Sequence, residues 1–294
     1  MNAGTRPRSV AARVGRRLAR LDLADAGEDG ADTGDATVNE RYVEEPPSAA
    51  NAIGLFDGQW SSKLPIDVET GPIDLFHDER VISCVEALGG VAGQRVLELG
   101  PLEGAHTHLL RRGLGAASVT AIEANTSAFL RCLVTKEVLG LDGVEFLLGD
   151  CRPYLAETDE RFDLAVAIGV LYHFDDPVPV LANLARITDR IVIWTHVYDD
   201  DVGGDLEARF DAPVTKGHDG VSYRLHPYRY EAALDWSGFC GGTQPTAAWI
   251  ERDDLLAMID RLGFEVVLRR DQDHPHGPTI TLALARRRAD DVTP

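Results

Sequence analysis

The 294-residue sequence predicts an α/β protein: a doubly wound, mainly parallel sheet interrupted by an inserted lid. Two observations predict it. From about residue 75, short apolar runs of strand length alternate with segments of helical period, the pattern of a parallel sheet covered by helices. Within that alternation, Val96-Leu97-Glu98-Leu99-Gly100-Pro101-Leu102-Glu103-Gly104 carries an apolar strand into a glycine turn that opens a helix. Such a turn sets a ligand site beyond the carboxyl end of the strand.

Taken in order, residues 9–23 place Val10, Val14, Leu18 and Leu21 at helical spacing, with arginines on the other faces. No long apolar run follows, so this is not a secretory signal. The expectation is that it docks on the protein's own acidic body, with an acidic partner or a membrane surface as alternatives. Residues 24–40, rich in Gly, Asp, Ala and Thr, read as a flexible linker. Residues 1–45 are thus a basic helix and linker, 46–197 and 249–288 the core domain, and 198–248 the lid. Strands are expected over 94–99, 118–122, 144–148, 163–168, 190–195, 264–269 and 279–285, the last two joined by a loop over 271–278. Helices are expected over 105–114, 126–139, 178–187 and 251–262, the last opening with acids that suit its dipole. The alternation stops between Val197 and Ala248. A structureless loop of that length is unusual in a compact domain, so the segment is expected to have structure of its own.

Composition narrows the function classes. Formal charge is −19, yet residues 1–20 hold six arginines and no acid, leaving about −25 on the rest. An acidic surface repels phosphate backbones, which disfavours a nucleic-acid substrate. No stretch reaches the roughly 18 apolar residues of a membrane span. Cys84, Cys132, Cys151 and Cys240 form no CxxC pair, which suggests buried small hydrophobes and a reducing cytoplasm. Arginines outnumber lysines 26 to 3, a hint of a high-GC, bacterial genome. A homodimer is the default expectation for an oligomeric state.

The glycine turn discriminates between cofactors. A dinucleotide needs GxGxxG so that its pyrophosphate can approach the helix N-terminus. Here those positions are Gly100, Leu102 and Ala105, and the leucine obstructs the approach. S-adenosylmethionine has no phosphate, and an acid on the first strand, Glu98, suits its ammonium directly or through water. Glu123 follows the second strand, where an acid accepts from ribose hydroxyls. Asp150 follows the third, placed to accept from the adenine amino group.

On these residues the chain resembles class I S-adenosylmethionine-dependent methyltransferases over about 75–197 and 249–286. The matching pieces are VLELGPLEG, AIEAN, LLGDC and FDLAVAIGVLYHFDDP. The resemblance implies a Rossmann-like, seven-stranded sheet with an antiparallel last strand and S-adenosyl-L-methionine as cofactor. It implies that Glu98, Gly100 and Gly104 cradle the methionine part, with His106 in reach. Glu123 and Ala124 would hold the ribose, Asp150 and Cys151 flank the adenine, and Gly169 line the same crevice. Leu102 departs from the glycine common in the family. More narrowly, Gly169–His173, Ala128–Cys132 and the pair Trp60 and Lys63 look like the enzymes that carboxymethylate wobble uridine in tRNA. Actinobacterial polysaccharide O-methyltransferases are a second candidate subgroup, with no motif of their own here.

Methylating a hydroxyl requires removing its proton, for which histidine suits neutral pH. His173 follows the fourth strand and His196 ends the fifth, so both face the crevice as candidate bases. Tyr172, Tyr198, Tyr223 and Arg224 are the expected acceptor-side residues. The lid's other aromatics and arginines, among them His226, Tyr228, Arg229, Tyr230, Trp236 and Trp249, suit a sugar or planar ring and equally suit a small aromatic core. Asp175-Asp176 and Asp199-Asp200-Asp201 nominate Mg²⁺ without fixing a ligand set. The other ligand-like cluster is Asp273-His274-Pro275-His276, expected in a solvent-exposed loop away from the crevice. The leading expectation is an O-methyltransferase acting on a glycan or other small metabolite. The alternatives are an RNA-modifying enzyme and a non-catalytic module that senses the cofactor.

Overall fold

The computed structural model describes residues 42–200, 202–235, 241–242 and 244–287. The chain divides into two units, Met1–Pro46 and Pro47–Pro294, and the α/β architecture belongs to the second. The arginine-bearing segment 9–23, the linker 24–40, Asp201, Trp236 and Cys240 lie outside the described residues.

In chain order the elements are α1 (Ala49–Gly54), α2 (Glu79–Ala87), β1 (Arg95–Leu99), α3 (Ala105–His108), β2 (Ser118–Glu123), α4 (Thr126–Val138), β3 (Val144–Leu148), α5 (Cys151–Glu157), β4 (Leu164–Ile168), α6 (Val178–Ile187) and β5 (Arg190–His196). The insertion supplies α7 (Gly204–Glu207), β6 (Val214–His218), β7 (Val221–Arg229) and β8 (Thr246–Ile250). The chain then returns through α8 (Arg252–Arg261), β9 (Phe264–His274) and β10 (Gly277–Arg286).

Seven strands form one sheet in the order β3-β2-β1-β4-β5-β10-β9. The first five pair in parallel, and β10 runs antiparallel to both β5 and β9. Because successive strand residues face opposite sides, β1 splits its side chains between two cores. Leu97 and Leu99 join Ala165, Ile193 and Leu181 on one face, while Val96 joins Val119, Val166 and Val192 on the other. Both faces are covered, so the central strands read as unbroken apolar runs. Glu98 shares the face of Val96 and is buried at 2% exposure, a costly place for a carboxylate unless something answers its charge.

The order reverses at β1, where β2 and β4 lie on either side. The strand ends Leu99, Glu123, Ile168 and His196 therefore open on one crevice. The insertion forms its own three-stranded antiparallel sheet, β6-β7-β8. It runs slightly past the expected boundary of 248, because β8 continues to Ile250. Its aromatics make a small core: Tyr198 stacks on His226 with centroids 3.4 Å apart, and Tyr228 stacks on Trp249 at 5.3 Å.

Three local expectations need correction. The helix expected over 105–114 is α-helical only to His108, after which Leu109–Gly113 widens into a π-turn. The loop expected over 271–278 is instead strand nearly throughout, since β9 and β10 pair from Phe264 to Arg286 around Pro275 and His276. Helices α1, α2, α5 and α7 are additions to the expected set.

Candidate active site

The glycine turn follows from its surroundings. Gly100 has φ +64°, and a Cβ there would lie 2.7 Å from Val170 Cγ2, so glycine is required on both counts. Gly104 caps α3 at φ +80°, with Phe146 3.1 Å from any added Cβ. Leu102 adopts the left-handed conformation at φ +56°, which costs a leucine about 1 kcal/mol or more relative to glycine. The Leu102 N–H donates to Glu123 Oε2 at 3.1 Å.

Two acids face this turn. Glu98 accepts from the Thr107 hydroxyl, and burial pushes its carboxyl up to about 7 against the opposing pull of His106 and Thr107. Glu123 accepts from the Asn125 N–H at 2.8 Å through its other oxygen, and burial raises its pKa as well. A carboxylate offers about four acceptor positions, and the Leu102, Asn125 and Ala124 N–H groups take three, so one remains for a ribose hydroxyl. A buried acid able to ionise beside a cation, and a second acid with an acceptor position to spare one strand away, fit the donor set of S-adenosylmethionine. Ala124 is exposed beside Glu123.

Asp150 follows β3 as expected and is engaged by its own helix. It caps α5 by accepting from the Arg152 N–H at 2.9 Å, and the Arg152 guanidinium grips the same carboxylate at 2.7 Å, which lowers its pKa. Cys151 is buried at the edge of the core, and its thiol is pushed up to about 12, so it acts as a small apolar neighbour. Cys84 and Cys132 are also buried, as expected of small hydrophobes. Gly169, at φ +77°, ends β4 with its N–H on the Trp194 carbonyl at 2.9 Å.

The two histidines lie on either side of Tyr172, whose ring centroid is 4.1 Å from that of His173 and 4.7 Å from that of His196. His173 sits in a short 3-10 turn, Leu171–His173, with Nδ1 2.6 Å from the Tyr230 hydroxyl. His196 is enclosed: 4% exposed, stacked on Trp249 at 4.5 Å, with Nδ1 3.3 Å from the Pro278 carbonyl. Burial lowers both pKa values to about 4, and the neighbouring histidines add to it. Both rings are neutral at pH 7.

Several residues at the crevice escaped the sequence. Asp78 caps α2, is chelated by Arg80 at 2.6 Å and lies 2.9 Å from His106 Nε2, which holds its carboxyl well below the usual range. Arg80 lies over the Trp194 ring at 4.8 Å. The run Asp78-Glu79 is a helix-start signal that betrays α2 but not its partner 28 residues away. His274 is exposed as expected, yet it is not away from the crevice: its ring centroid is 5.5 Å from that of His196.

The insertion's expected acceptor residues are spread out. Tyr223 is buried at 3%, and its hydroxyl donates to Asp176 at 2.9 Å. Arg224 pairs with Glu251 and Asp254 beside α8. Tyr198 is committed to its stack on His226. Trp60 is buried, donating to the Ile53 carbonyl at 3.1 Å, while Lys63 is exposed. The acids nominated for Mg²⁺ go to protein cations instead: Asp175 to Arg152, Asp176 to Lys216 and Asp199 to Arg252. Among the described residues, no group of three His, Cys, Asp or Glu side chains is arranged to hold a metal. Nor is any helix among them long and apolar enough to cross a membrane.

Residues 97–190, which span β1 through α6, match the family model described as a methyltransferase domain. The chain's fold is that of the N-terminal domain of EvdMO1, solved in the presence of SAH and D-fucose, with a TM-score of 0.59 at 24% identity. That alignment covers 82% of this chain and 95% of the other. A longer EvdMO1 chain aligns with a TM-score of 0.52 at 24% identity, covering 81% of this chain and 46% of its own. No curated protein sequence matches the chain.

Proposed function

We propose that this methyltransferase domain transfers the methyl group of S-adenosylmethionine to a hydroxyl of a small, sugar-like acceptor, with His173 as the base. The reading is carried by His173 itself. It is a neutral imidazole in the turn that follows β4, incompletely buried, on a crevice that also receives Glu98 and Glu123. Bound S-adenosylmethionine would supply an electrophilic methyl carbon and depart as the thioether when the acceptor oxygen bonds to that carbon. Glu98 would pair with the ammonium, and Glu123 would accept from the ribose. His173 Nε2 would take the hydroxyl proton as the oxygen attacks. His196, sandwiched between Trp249 and Tyr172, would shape the acceptor wall rather than reach the acceptor.

Aromatic walls suit the apolar face of a sugar. The EvdMO1 domain of like fold was solved in the presence of D-fucose, which supports the same acceptor class here. A charge of −19 weighs against RNA. The test is incubation with methyl-labelled S-adenosylmethionine and a panel of free and nucleotide-linked deoxysugars. Label should enter a hydroxyl. His173→Ala should cut that transfer at least about 100-fold with cofactor affinity kept, the usual scale for a lost base. Label in RNA alone, or unchanged transfer by His173→Ala, would overturn the assignment.

A further inference from the structure

We propose that Tyr230, the residue after the insertion strand β7, is the positioning residue that fixes the tautomer of His173. The inference rests on reading His173 as the base, and it says how the chain prepares that base. A tyrosine hydroxyl has one proton to donate and lone pairs to accept with. The Tyr230 hydroxyl donates to the Gly241 carbonyl at 3.1 Å, and a carbonyl can only accept. What Tyr230 presents to His173 Nδ1 at 2.6 Å is therefore a lone pair, so Nδ1 carries the ring proton. Neutral imidazole has one N–H, which leaves Nε2 as the lone-pair atom. Tyr230 is 6% exposed and packs its ring edge-on to Tyr228 at 5.6 Å, so the hydroxyl is held in place.

The neighbouring histidine has the same polarity from an unrelated element. His196 Nδ1 faces the Pro278 carbonyl of β10, again a group that only accepts. Two rings flanking Tyr172 are thus set with Nδ1 protonated, one by the insertion and one by the main sheet. The insertion's backbone reinforces the arrangement where it meets the turn: the Ala248 N–H of β8 donates to the Phe174 carbonyl at 2.8 Å, one residue after His173. Fifty-seven residues separate His173 from Tyr230, so the competent tautomer exists only when the insertion is folded onto the core.

The test reads the tautomer directly. In the full chain labelled with ¹⁵N-histidine, long-range proton–nitrogen correlation at pH 7.5 should show His173 protonated at Nδ1 and bare at Nε2. Assignment comes from loss of the signal in His173→Asn. In Tyr230→Phe, which removes one oxygen and keeps the ring, the His173 signal should move to a mixture of tautomers or to the Nε2–H form. Methyl transfer by Tyr230→Phe should fall at least about tenfold in kcat, with KM for S-adenosylmethionine unchanged, the scale on which loss of an imidazole's supporting partner is felt. A wild-type His173 protonated at Nε2, or a tautomer unchanged in Tyr230→Phe, would overturn the proposal. If wild-type protein methylates no hydroxyl while the tautomer shifts as stated, the functional reading has failed and the role of Tyr230 has not.

Discussion

Glu98 illustrates how a residue's environment decides its chemistry. A carboxyl at 2% exposure with a pKa near 7 is about half ionised at neutral pH. Pairing with the cofactor's ammonium requires the ionised form, so cofactor binding should release a proton at and below neutral pH, and affinity should rise with pH until it levels off above about 7. Calorimetric titration in buffers of different ionisation enthalpy measures the proton count directly, and Glu98→Gln should abolish the release while weakening binding. A count of zero at pH 6.5 would mean that another group answers the ammonium. The positions of Glu98, one residue before the end of β1, and Glu123, at the end of β2, were legible in the sequence because the apolar runs before them mark the strands. Asp150 is equally well placed, and the arginine two residues later also binds its carboxylate. A local competitor of that kind is visible in the sequence only after the helix cap is recognised. Tyr230 and Asp78 had no such signal, because their partners lie 57 and 28 residues away.

Between elements, the glycine turn is clamped from outside the main sheet. Glu103, 1% exposed, accepts from the Ser61 and Ser62 N–H groups at 2.8 Å each and pairs with Arg131 of α4 at 3.3 Å. Arg131 is itself buried at 7%. Glu103→Ala would therefore strand a buried guanidinium and two backbone donors together, and should cost about 3–5 kcal/mol in urea unfolding, the range for a broken buried pair. A loss under about 1 kcal/mol would mean that water reaches Arg131. The parallel strands were legible because both of their faces are covered, which gives unbroken apolar runs. Strand β9 was read short for the opposite reason: it is an edge strand, exposed along most of its length, and its polar Asp271–His274 end lacks the apolar run that marks a buried strand. The insertion's strands were hidden likewise, since β6 is almost wholly exposed and the aromatics of β7 pack on neighbours that the sequence does not bring together.

At the scale of the whole molecule, buried titratable groups set opposing limits on stability. His173 and His196 have folded pKa values near 4 against an ordinary 6.5. Between those values the unfolded chain binds protons that the folded chain does not, so stability falls as pH drops from 6.5 toward 4. Glu98 acts in the other sense: its raised pKa favours the folded state below about 4.5 and that advantage is lost as pH rises through 7. Across the overlap, one glutamate offsets one histidine and the second histidine decides the sign. Among these three groups the net slope between pH 6 and 5 is thus toward lower stability in acid, near 1.4 kcal/mol per pH unit for one uncompensated proton. His173→Asn, which does not titrate, should remove about that slope in urea unfolding measured across the same interval, whatever the remaining carboxylates contribute, because their share is common to both proteins. A slope unchanged by the substitution would mean that His173 takes up its proton in the folded state, and the crevice would then hold a cation where a base is needed.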